Sequence, residues 1–356
     1  MSQSNPLVSI CVPTRNRGAS LRESILNIGQ QDYSPIEILI SDNASDDDTE
    51  RVCHELMSED PRIRYVRHPQ NIGLHGNHNF CMDQGRGEFL CIFHDHDEHL
   101  PGQVREYVAF LQKHPRVGVV CADWNLIDDA GREIGVRDYH VSEVTAGFDY
   151  IEQTMRSGQT SIGIAGAMAR RSALGDIRFV IDAPIGFGDF PIWYRMAETW
   201  DIGHISRRLW SWRQNDVSHS ARPIESIAAD YHHNIGNFCD EFEARHPDRA
   251  ADAQRWRGYI RRYLFWALTY EVGLHFRGDE TRTDPKASRS LFEIMNYRLT
   301  PAQFAHALEQ MKRYRSSPIE YATYAAVMTM IHLRLTRPLA WVTRYRAAAR
   351  SLLRLK

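Results

Sequence analysis

Three groups of polar residues follow directly after apolar, strand-like runs, and their spacing could build a binding site. The groups are Pro13, Thr14, Arg15 and Asn16 after the first run, Asp42 and Asn43 after the second, and Asp95, His96 and Asp97 after residues 89–93. In an open parallel sheet a ligand binds outside the carboxyl ends of the strands. One such group alone is most often an ordinary turn. Three in order predict a ligand site at one edge of a sheet.

The segments around these groups alternate between strand and helix patterns. Strands are predicted at residues 7–12, 36–41, 63–66, 88–93 and 117–120. Ser20 and Glu23 form a capping-box pattern that predicts one helix start, and Ser45 before three aspartates predicts another. Residues 128–131 predict a hairpin or loop. This order predicts an α/β fold with a mostly parallel sheet flanked by helices.

The second part of the chain has a different pattern. From about residue 224, long amphipathic helical patterns are interrupted only by turns such as His246-Pro247. We therefore predict an α/β domain over residues 1–220 and a helical C-terminal region over residues 221–356.

Composition excludes several classes of protein. The formal net charge of −2 argues against bulk attraction to nucleic acid. No apolar run approaches the roughly 20 residues that cross a bilayer, and the N-terminus lacks the pattern of a secretory signal. Six scattered cysteines predict reduced thiols rather than a disulfide framework. These features predict a cytoplasmic location.

The C-terminus carries a basic, amphipathic pattern. After Glu320 the chain has seven basic residues and no acidic one, and from Pro338 apolar residues recur every three or four positions. Two interpretations stay open. The segment docks peripherally on the anionic inner face of the cytoplasmic membrane, or it packs on the preceding helices or on a second subunit in a homo-oligomer.

Four segments together resemble a known family. They are VSICVPTRNR at 8–17, EILISDNASDDDT at 37–49, NIGLHGNHN at 71–79 and GRGEFLCIFHDHDEHLPG at 85–102. To about residue 220 the chain resembles the inverting glycosyltransferase family 2, whose members have the Rossmann-like GT-A fold. The competing dinucleotide fingerprint and Walker loop are absent from the sequence.

The resemblance implies transfer of a sugar from a nucleoside diphosphate donor to a hydroxyl of a saccharide or a lipid-linked saccharide, as in the synthesis of bacterial surface polysaccharides. It implies that Asp42 accepts a hydrogen bond from the base. Arg15 faces either a phosphate or the surface. The residues that it assigns to the nucleotide-sugar site are Pro13, Thr14, Arg15, Asn16, Asp42, Asn71 and Asp95.

The same resemblance implies a divalent metal, Mn²⁺ or Mg²⁺, that stabilises the departing diphosphate. The spacing within the cluster favours Asp95 and Asp97 as its ligands. Counting back from Pro101 instead puts Asp95 on the ribose and His96 on the metal. His219 is a further candidate ligand. An imidazole ligand leaves the identity of the metal open between manganese and zinc.

The histidines near these segments allow a second interpretation. They are His75, His78, His94, His96 and His99. They form either a dedicated transition-metal site or the polar lining of a nucleotide cleft. The sequence has neither a His-Glu-x-x-His nor a Cys-x-x-Cys pattern, which favours the lining.

Asp189 matches the catalytic base of the family, which takes the proton of the acceptor hydroxyl. Gly188 stands where the family usually has glutamate. Asp189 before Pro191 is also good N-cap chemistry, and both roles can coexist. The alternative to an enzyme is a non-catalytic nucleotide-sugar-binding or scaffold protein that retains the GT-A fold. A nucleotidyltransferase is disfavoured because residues 13–17 contain no glycine.

Overall fold

The computed structural model describes residues 5–214, 224–277 and 301–332. The chain divides into two compact units, Met1–Gln153 with Thr160–Ser218 and Thr154–Gln159 with His219–Lys356. Each unit is considered by itself. The assignment of a catalytic domain to residues 1–220 stays a prediction.

The first unit is built on a sheet. Its strands are β1 (Val8–Thr14), β2 (Ile36–Asp42), β3 (Ile63–Arg67), β4 (Phe89–Ile92), β5 (Glu98–His99), β6 (Val117–Ile127), β7 (Glu133–Arg137), β8 (Val144–Thr145), β9 (Ala167–Arg170) and β10 (Asp201–Arg213). The helices that accompany them are α1 (Gly18–Gly29), α2 (Thr49–Glu59), α3 (Gly73–Gln84), α4 (Gln103–Lys113), α5 (Gly147–Ser157), α6 (Arg171–Leu174) and α7 (Phe190–Ala197).

The order of strands along the sheet is β3-β2-β1-β4-β9-β6-β10-β5, with β7 on β6 and β8 on β10. The first four strands are parallel, as are β6 and β10. The short strand β9 runs antiparallel between β4 and β6. The α/β fold is confirmed, but beyond β4 the sheet is mixed rather than mostly parallel. The predicted turn at residues 128–131 is the β6–β7 hairpin, where Gly131 has a φ of 75°.

Two predicted helix starts are wrong. Helix α1 begins at Gly18, and the Ser20 hydroxyl makes no capping-box bond, because it lies inside the first turn and donates to the Arg17 carbonyl. Helix α2 begins at Thr49 instead of near Ser45. There the Asp47 carboxylate accepts bonds from the Thr49 amide and hydroxyl. Ser45 is bound to Asp42 instead, so it does not cap the helix.

A large core cluster of the first unit lies against one face of the parallel strands, since its members alternate along β1, β2 and β4. Ile10 and Ile38 from neighbouring strands, Leu21 and Ile25 from α1, and Phe89 from β4 are buried in one cluster. Burying side chains of this size is worth about 1.5–3 kcal/mol each. This packing fixes the strand ends, from which the polar groups project.

The second unit is helical, as predicted. Its helices are α8 (Ile224–Arg245), α9 (Ala250–Arg277), α10 (Pro301–Tyr314) and α11 (Pro318–His332). Phe238 and Phe242 of α8 pack on Trp256 of α9. Of the helices that the structure describes, none is both long and apolar enough to cross a bilayer. The basic segment from residue 334 on lies outside the described residues, so its two interpretations stay predictions.

Candidate active site

The three predicted polar groups meet at one edge of the sheet. Thr14 and Asp42 end neighbouring parallel strands and are partners in register. The Thr14 hydroxyl donates to Oδ2 of Asp95, which follows β4, at 2.7 Å. The prediction that the groups after β1, β2 and β4 lie together is therefore confirmed.

Asp42 is buried and well supplied with donors. The amide and hydroxyl of Ser45 donate to its Oδ1, and the Tyr65 hydroxyl donates to Oδ2 at 2.8 Å. The Arg67 guanidinium lies 3.8 Å from Oδ2. These contacts hold the carboxylate in one orientation at the end of β2. Because a carboxylate has about four acceptor positions, one remains for a further donor such as a base N–H.

The other predicted nucleotide residues mainly shape the loops. Pro13 is buried in β1 and Arg15 is exposed. Asn16 has a positive φ of 54°, and its Oδ1 accepts a hydrogen bond from the Asp46 amide at 3.0 Å. Asn71 is exposed, and its Oδ1 accepts from the Gly73 amide at the start of α3. The side-chain oxygens of both asparagines thus order the backbone beside the site.

His94, His96 and Asp97 form a cluster whose potential ligand atoms all lie within 4.8 Å of one another. Asp97 is buried, and its Oδ1 accepts a hydrogen bond from the backbone N–H of Arg213 at 2.9 Å. Its buried Oδ2 accepts no hydrogen bond, and His94 Nδ1 lies 3.5 Å from it. A buried carboxylate oxygen without a donor is costly, and a cation between these atoms would satisfy it.

The structure brings His96 and Asp97 together with His94, but it places Asp95 differently. One Asp95 oxygen accepts from Thr14 and the other from His96 Nδ1, at 3.0 Å. Asp95 is not part of the three-residue cluster. His219 lies outside the described residues.

Charge within the cluster moves two pKa values. Burial raises the pKa of Asp97, but the nearby His94 and His96 and the Arg213 N–H lower it more, and the net pKa is lowered. Burial lowers the pKa of His96, while the bond with Asp95 and the charges of Asp97 and Asp95 raise it, and the net pKa is raised. Asp97 therefore stays ionised at neutral pH, as a metal ligand must.

Arg213, the last residue of β10, fixes this loop. Its Nε donates to the His96 carbonyl at 2.9 Å, and one terminal nitrogen donates to the carbonyls of Asp128 and Asp129 at 3.0 Å. The other terminal nitrogen contacts the Glu98 carboxylate. The sequence analysis did not find this role, because more than 110 residues separate Arg213 from the loop.

The histidine rings form a column with one phenylalanine. His75 and His78 both stack on Phe179, with ring centroids 5.0 and 5.2 Å away. His78 then faces His94 at 6.2 Å, and His94 faces His96 at 5.5 Å. The column connects the cluster of His94, His96 and Asp97 with α3.

His99 has a separate, structural role. Its ring stacks on Phe93 with centroids 3.6 Å apart, and its Nδ1 donates to the Gln103 side chain at 2.9 Å. Burial lowers the pKa of His99 to about 4. His99 is buried and is not part of the three-residue cluster that could hold a metal.

Asp189 is the N-cap residue of α7, but its side chain makes no capping hydrogen bond. The capping role expected for its carboxylate is therefore wrong. Trp193 Nε1 donates to Oδ2 at 3.4 Å. Burial raises the pKa of Asp189 to about 6, against the lowering effects of the Trp193 bond and of the His94 charge. The positive charge of His94 is thus among the effects that lower it.

There is no space for a side chain at position 188. A Cβ on Gly188 would lie 2.6 Å from His75 Nε2, and His75 Nδ1 donates to the Val180 carbonyl at 3.0 Å. Phe187, just before it, has a φ of 60°. The imidazole thus fills the volume beside the backbone that leads into Asp189.

Comparison with solved structures agrees with this architecture. The chain is similar to S. aureus TarS 1-349 in complex with UDP-GlcNAc, at a TM-score of 0.58 and 14% identity, over 96% of this chain and 92% of that one. It is also similar to the mannosyltransferase PcManGT from Pyrobaculum calidifontis in complex with GDP-Man and Mn²⁺, at a TM-score of 0.54 and 16% identity, over 99% and 89%. These likenesses define the fold class as GT-A.

Comparison with curated sequences finds matches over part of the chain. The chain is 42% identical over 99 residues to the GalNAc(5)-diNAcBac-PP-undecaprenol beta-1,3-glucosyltransferase of Campylobacter jejuni, which is 27% of this chain and 32% of that protein. It is 30% identical over 129 residues to the putative glycosyltransferase EpsE of Bacillus subtilis, 36% of this chain and 46% of that protein. The matches thus span less than half of either relative.

Residues 9–178 match the family model described as Glycosyl transferase family 2. This region of the chain belongs to glycosyltransferase family 2. The match contains the ends of β1, β2 and β4 and the cluster after β4, but it ends before Asp189.

Proposed function

We propose that this protein is an inverting glycosyltransferase that moves one sugar from a nucleoside diphosphate donor to a hydroxyl of a saccharide or lipid-linked saccharide. The observation that carries the proposal is the position of Asp189. This carboxyl group, whose pKa burial raises to about 6, directly follows Gly188, and the backbone of Gly188 lies against His75. From His75 the column of rings leads to His94 in the cluster that could hold a metal. A base and a diphosphate-binding cation must stand on either side of the same anomeric carbon.

Asp189 would take the proton of the acceptor hydroxyl. The hydroxyl oxygen then forms a bond to the anomeric carbon from the face opposite the diphosphate, and the electron pair of the breaking bond leaves with the diphosphate. A single displacement of this kind inverts the anomeric configuration and needs no covalent nucleophile. A positioned base contributes typically about 10²–10⁴-fold to the rate, and correct orientation of the two substrates contributes more.

The donor would bind along the ends of β1 and β2. Asp42, held by Ser45 and Tyr65, has an acceptor position for the base. The surrounding residues of the proposed pocket are Pro13, Thr14, Arg15, Asn16 and Asn71. Arg15 is exposed and therefore free to meet a phosphate, or to remain at the surface.

The cluster after β4 fits a divalent metal such as Mn²⁺ or Mg²⁺. Asp97 Oδ2 is buried without a hydrogen bond, and two imidazoles stand beside it. When bound, the metal would act as a Lewis acid toward the departing diphosphate. Asp97 and Arg213 keep the loop in place for it, through the backbone bond of 2.9 Å.

Biosynthesis of a bacterial surface polysaccharide or another glycoconjugate is the proposed context. The named activity of the Campylobacter jejuni relative, on a saccharide linked to undecaprenyl diphosphate, supports a lipid-linked acceptor. A screen of nucleotide sugars identifies the sugar and the base, and analysis of the transfer product identifies the linkage.

The test is a screen of nucleotide sugars, including UDP-GlcNAc, UDP-Glc and GDP-Man, by thermal shift with and without Mn²⁺. A donor at 100 Kd adds about 2.7 kcal/mol of apparent stability. Donors that bind are then assayed for hydrolysis and transfer. Binding without turnover would instead identify a non-catalytic nucleotide-sugar-binding or scaffold protein, and a failure of every donor to bind would reject the proposal.

A further inference from the structure

We propose that His94, His96 and Asp97 bind a transition metal, such as Mn²⁺, Co²⁺ or Zn²⁺, in preference to Mg²⁺, and that Asp95 positions His96 instead of ligating the metal. This inference rests on the proposed function for the role of the metal in transfer. Metal selectivity itself is a property of the three side chains and can be measured without substrate.

The donor atoms already lie close to bonding positions. His94 Nδ1 is 3.5 Å from Asp97 Oδ2, and His96 Nε2 is 3.8 Å from Asp97 Oδ1. Ligand atoms that share one ion at about 2.1 Å lie roughly 3.0–3.5 Å from each other. Small rotations of the two imidazole rings, which are partly exposed, would complete the set. The buried Oδ2 of Asp97 would then gain the partner that it lacks.

The contact between Asp95 and His96 selects the ring nitrogen that faces the metal. A carboxylate only accepts hydrogen bonds, so the 3.0 Å contact with Asp95 Oδ1 puts the proton on His96 Nδ1. In the neutral imidazole, which is the form that binds a metal, His96 Nε2 on the Asp97 side then carries no proton and can donate its lone pair. A carboxylate that orients a metal-binding histidine in this way is a common second layer around metal sites.

Asp95 is itself fixed by its other contacts. Its Oδ2 accepts from the Thr14 hydroxyl at 2.7 Å, and the Arg17 guanidinium lies 3.9 Å from Oδ1. Each Asp95 oxygen is thus already oriented toward Thr14 or His96, so a metal could reach only the second lone pair of an oxygen held in that orientation. Asp95 therefore connects the end of β1 to the imidazole of His96. The spacing of the two aspartates predicts Asp95 as a metal ligand, and in this proposal His94 takes that place.

The donor types determine the selectivity. Mg²⁺ requires nearly ideal octahedral oxygen coordination and loses its water reluctantly. Imidazole suits Mn²⁺, Co²⁺ and Zn²⁺, with affinity rising toward the later metals. Two of the three protein donors here are nitrogens, so the site disfavours Mg²⁺ although the reaction class is compatible with it.

The first experiment is calorimetric titration of the full chain with MnCl₂, CoCl₂, ZnCl₂ and MgCl₂ after removal of metal by chelation. We expect one site, with Mg²⁺ at least tenfold weaker than Mn²⁺. Co²⁺ should also give visible absorption bands characteristic of nitrogen ligation, which Mn²⁺ removes by competition and Mg²⁺ does not. Equal affinity for Mg²⁺ and Mn²⁺, or the absence of the Co²⁺ bands, would overturn the proposal.

The second experiment separates ligands from the positioning residue. His94→Ala should lose more Mn²⁺ affinity than Asp95→Ala, for which we expect the roughly 10–100-fold loss typical of an outer-layer residue. His114→Ala is the control, because that partly exposed histidine pairs with Glu143 and should bind as the wild type does. A His94→Ala variant that binds Mn²⁺ normally, or a larger loss in Asp95→Ala, contradicts the assignment. Circular dichroism checks that each variant is folded. If a variant does not fold, the Co²⁺ titration of the wild type still tests whether nitrogen atoms ligate the metal.

Failure of this inference can be distinguished from failure of the proposed function. UDP and GDP are titrated into the same protein with EDTA, with Mg²⁺ and with Mn²⁺. Nucleotide binding supported equally by Mg²⁺ leaves the glycosyltransferase proposal intact and rejects the selectivity. If the protein binds Mn²⁺ selectively but binds no nucleotide sugar, the metal selectivity is supported and the glycosyltransferase proposal is rejected.

Discussion

Asp97 and Asp189 are two carboxyl groups whose pKa values both respond to the imidazole of His94, yet their surroundings move these values in opposite directions. Asp97 is in contact with two histidines and accepts a backbone hydrogen bond, and its pKa is lowered. Asp189 has a long side-chain bond from Trp193 and no imidazole in hydrogen-bonding contact among the described residues, and burial raises its pKa to about 6.

The difference separates two chemical roles. A group that must stay ionised to hold a cation needs nearby positive charge and donors, whereas a base needs a pKa close to the working pH. Both carboxylates accept hydrogen bonds, so the contact of Asp97 with two imidazoles makes the distinction. The pKa values fit the two proposed roles, Asp97 as a metal ligand and Asp189 as a base.

The largest expected effect comes from removing the base. Asp189→Asn should lower the transfer rate by about 10²–10⁴-fold, because an amide cannot accept the proton, while Mn²⁺ affinity stays unchanged. Initial rates with the donor found by the screen, together with metal titration, measure both. Asp182→Asn, an exposed carboxylate in the same loop, is the matched control. If that variant loses the activity instead, the base is Asp182 and the comparison fails.

The converse variant is Asp97→Asn. We expect it to lower Mn²⁺ affinity by roughly 100-fold or more, because the remaining amide oxygen is a neutral and weaker ligand than a carboxylate. Calorimetric titration measures the affinity, with Asp129→Asn as an exposed control. Unchanged metal affinity would show that Asp97 is not a ligand and that its low pKa has only a structural cause.

Asp189 should also reduce stability at neutral pH. Its pKa is above the usual 3.8 in the folded state, so the folded protein holds the proton more tightly and its stability falls as pH rises from about 4 to about 6. Asp189→Asn should therefore raise the free energy of unfolding by roughly 1–3 kcal/mol at pH 7.5, with little gain at pH 4. Urea unfolding at both values is the measurement. A gain that is equal at the two pH values would mean that ionisation is not the cause.

The smallest effect concerns the side-chain donor to the proposed base, Trp193. Trp193→Phe removes the bond to Asp189 Oδ2, so the pKa of Asp189 should rise above about 6. The acidic limb of the rate profile, where activity falls as the base is protonated, should move up by less than about one pH unit, since a bond of 3.4 Å is weak. Trp212→Phe, a partly exposed tryptophan that packs on Trp124, is the control. If the acidic limb of the rate profile does not move, the pH dependence of the rate does not report the ionisation of Asp189.

The sequence predicts those parts of the site that depend on local pattern. Residues 13–16, 42 and 95–97 follow strands whose apolar runs are easy to recognise, and the sheet brings them together. The start of α2 was misplaced because Ser45 bonds to the Asp42 carboxylate, which is a tertiary preference over capping. The contacts of Arg213 and Trp193 with the site are not predicted from the sequence. Arg213 meets the 95–97 loop only after the chain has folded, and the Trp193 bond to Asp189 depends on how helix α7 orients the indole. His94 was seen only as one of five histidines, and its selection depends on the orientation of Asp97.

Among the residues that the structure describes, three non-glycine residues have a positive φ: Asn16, Ala44 and Phe187. Asn tolerates this conformation, but for Ala44 and Phe187 it costs roughly 1–2 kcal/mol each. They stand in the turns after β1 and β2 and in the turn before Asp189. The backbone strain that lowers stability therefore lies in the same few residues that set the geometry of the proposed site. Glycine at position 44 would relieve the strain and allow the turn beside Asp42 more conformations, so selection for thermal stability and selection for turnover would favour different residues there.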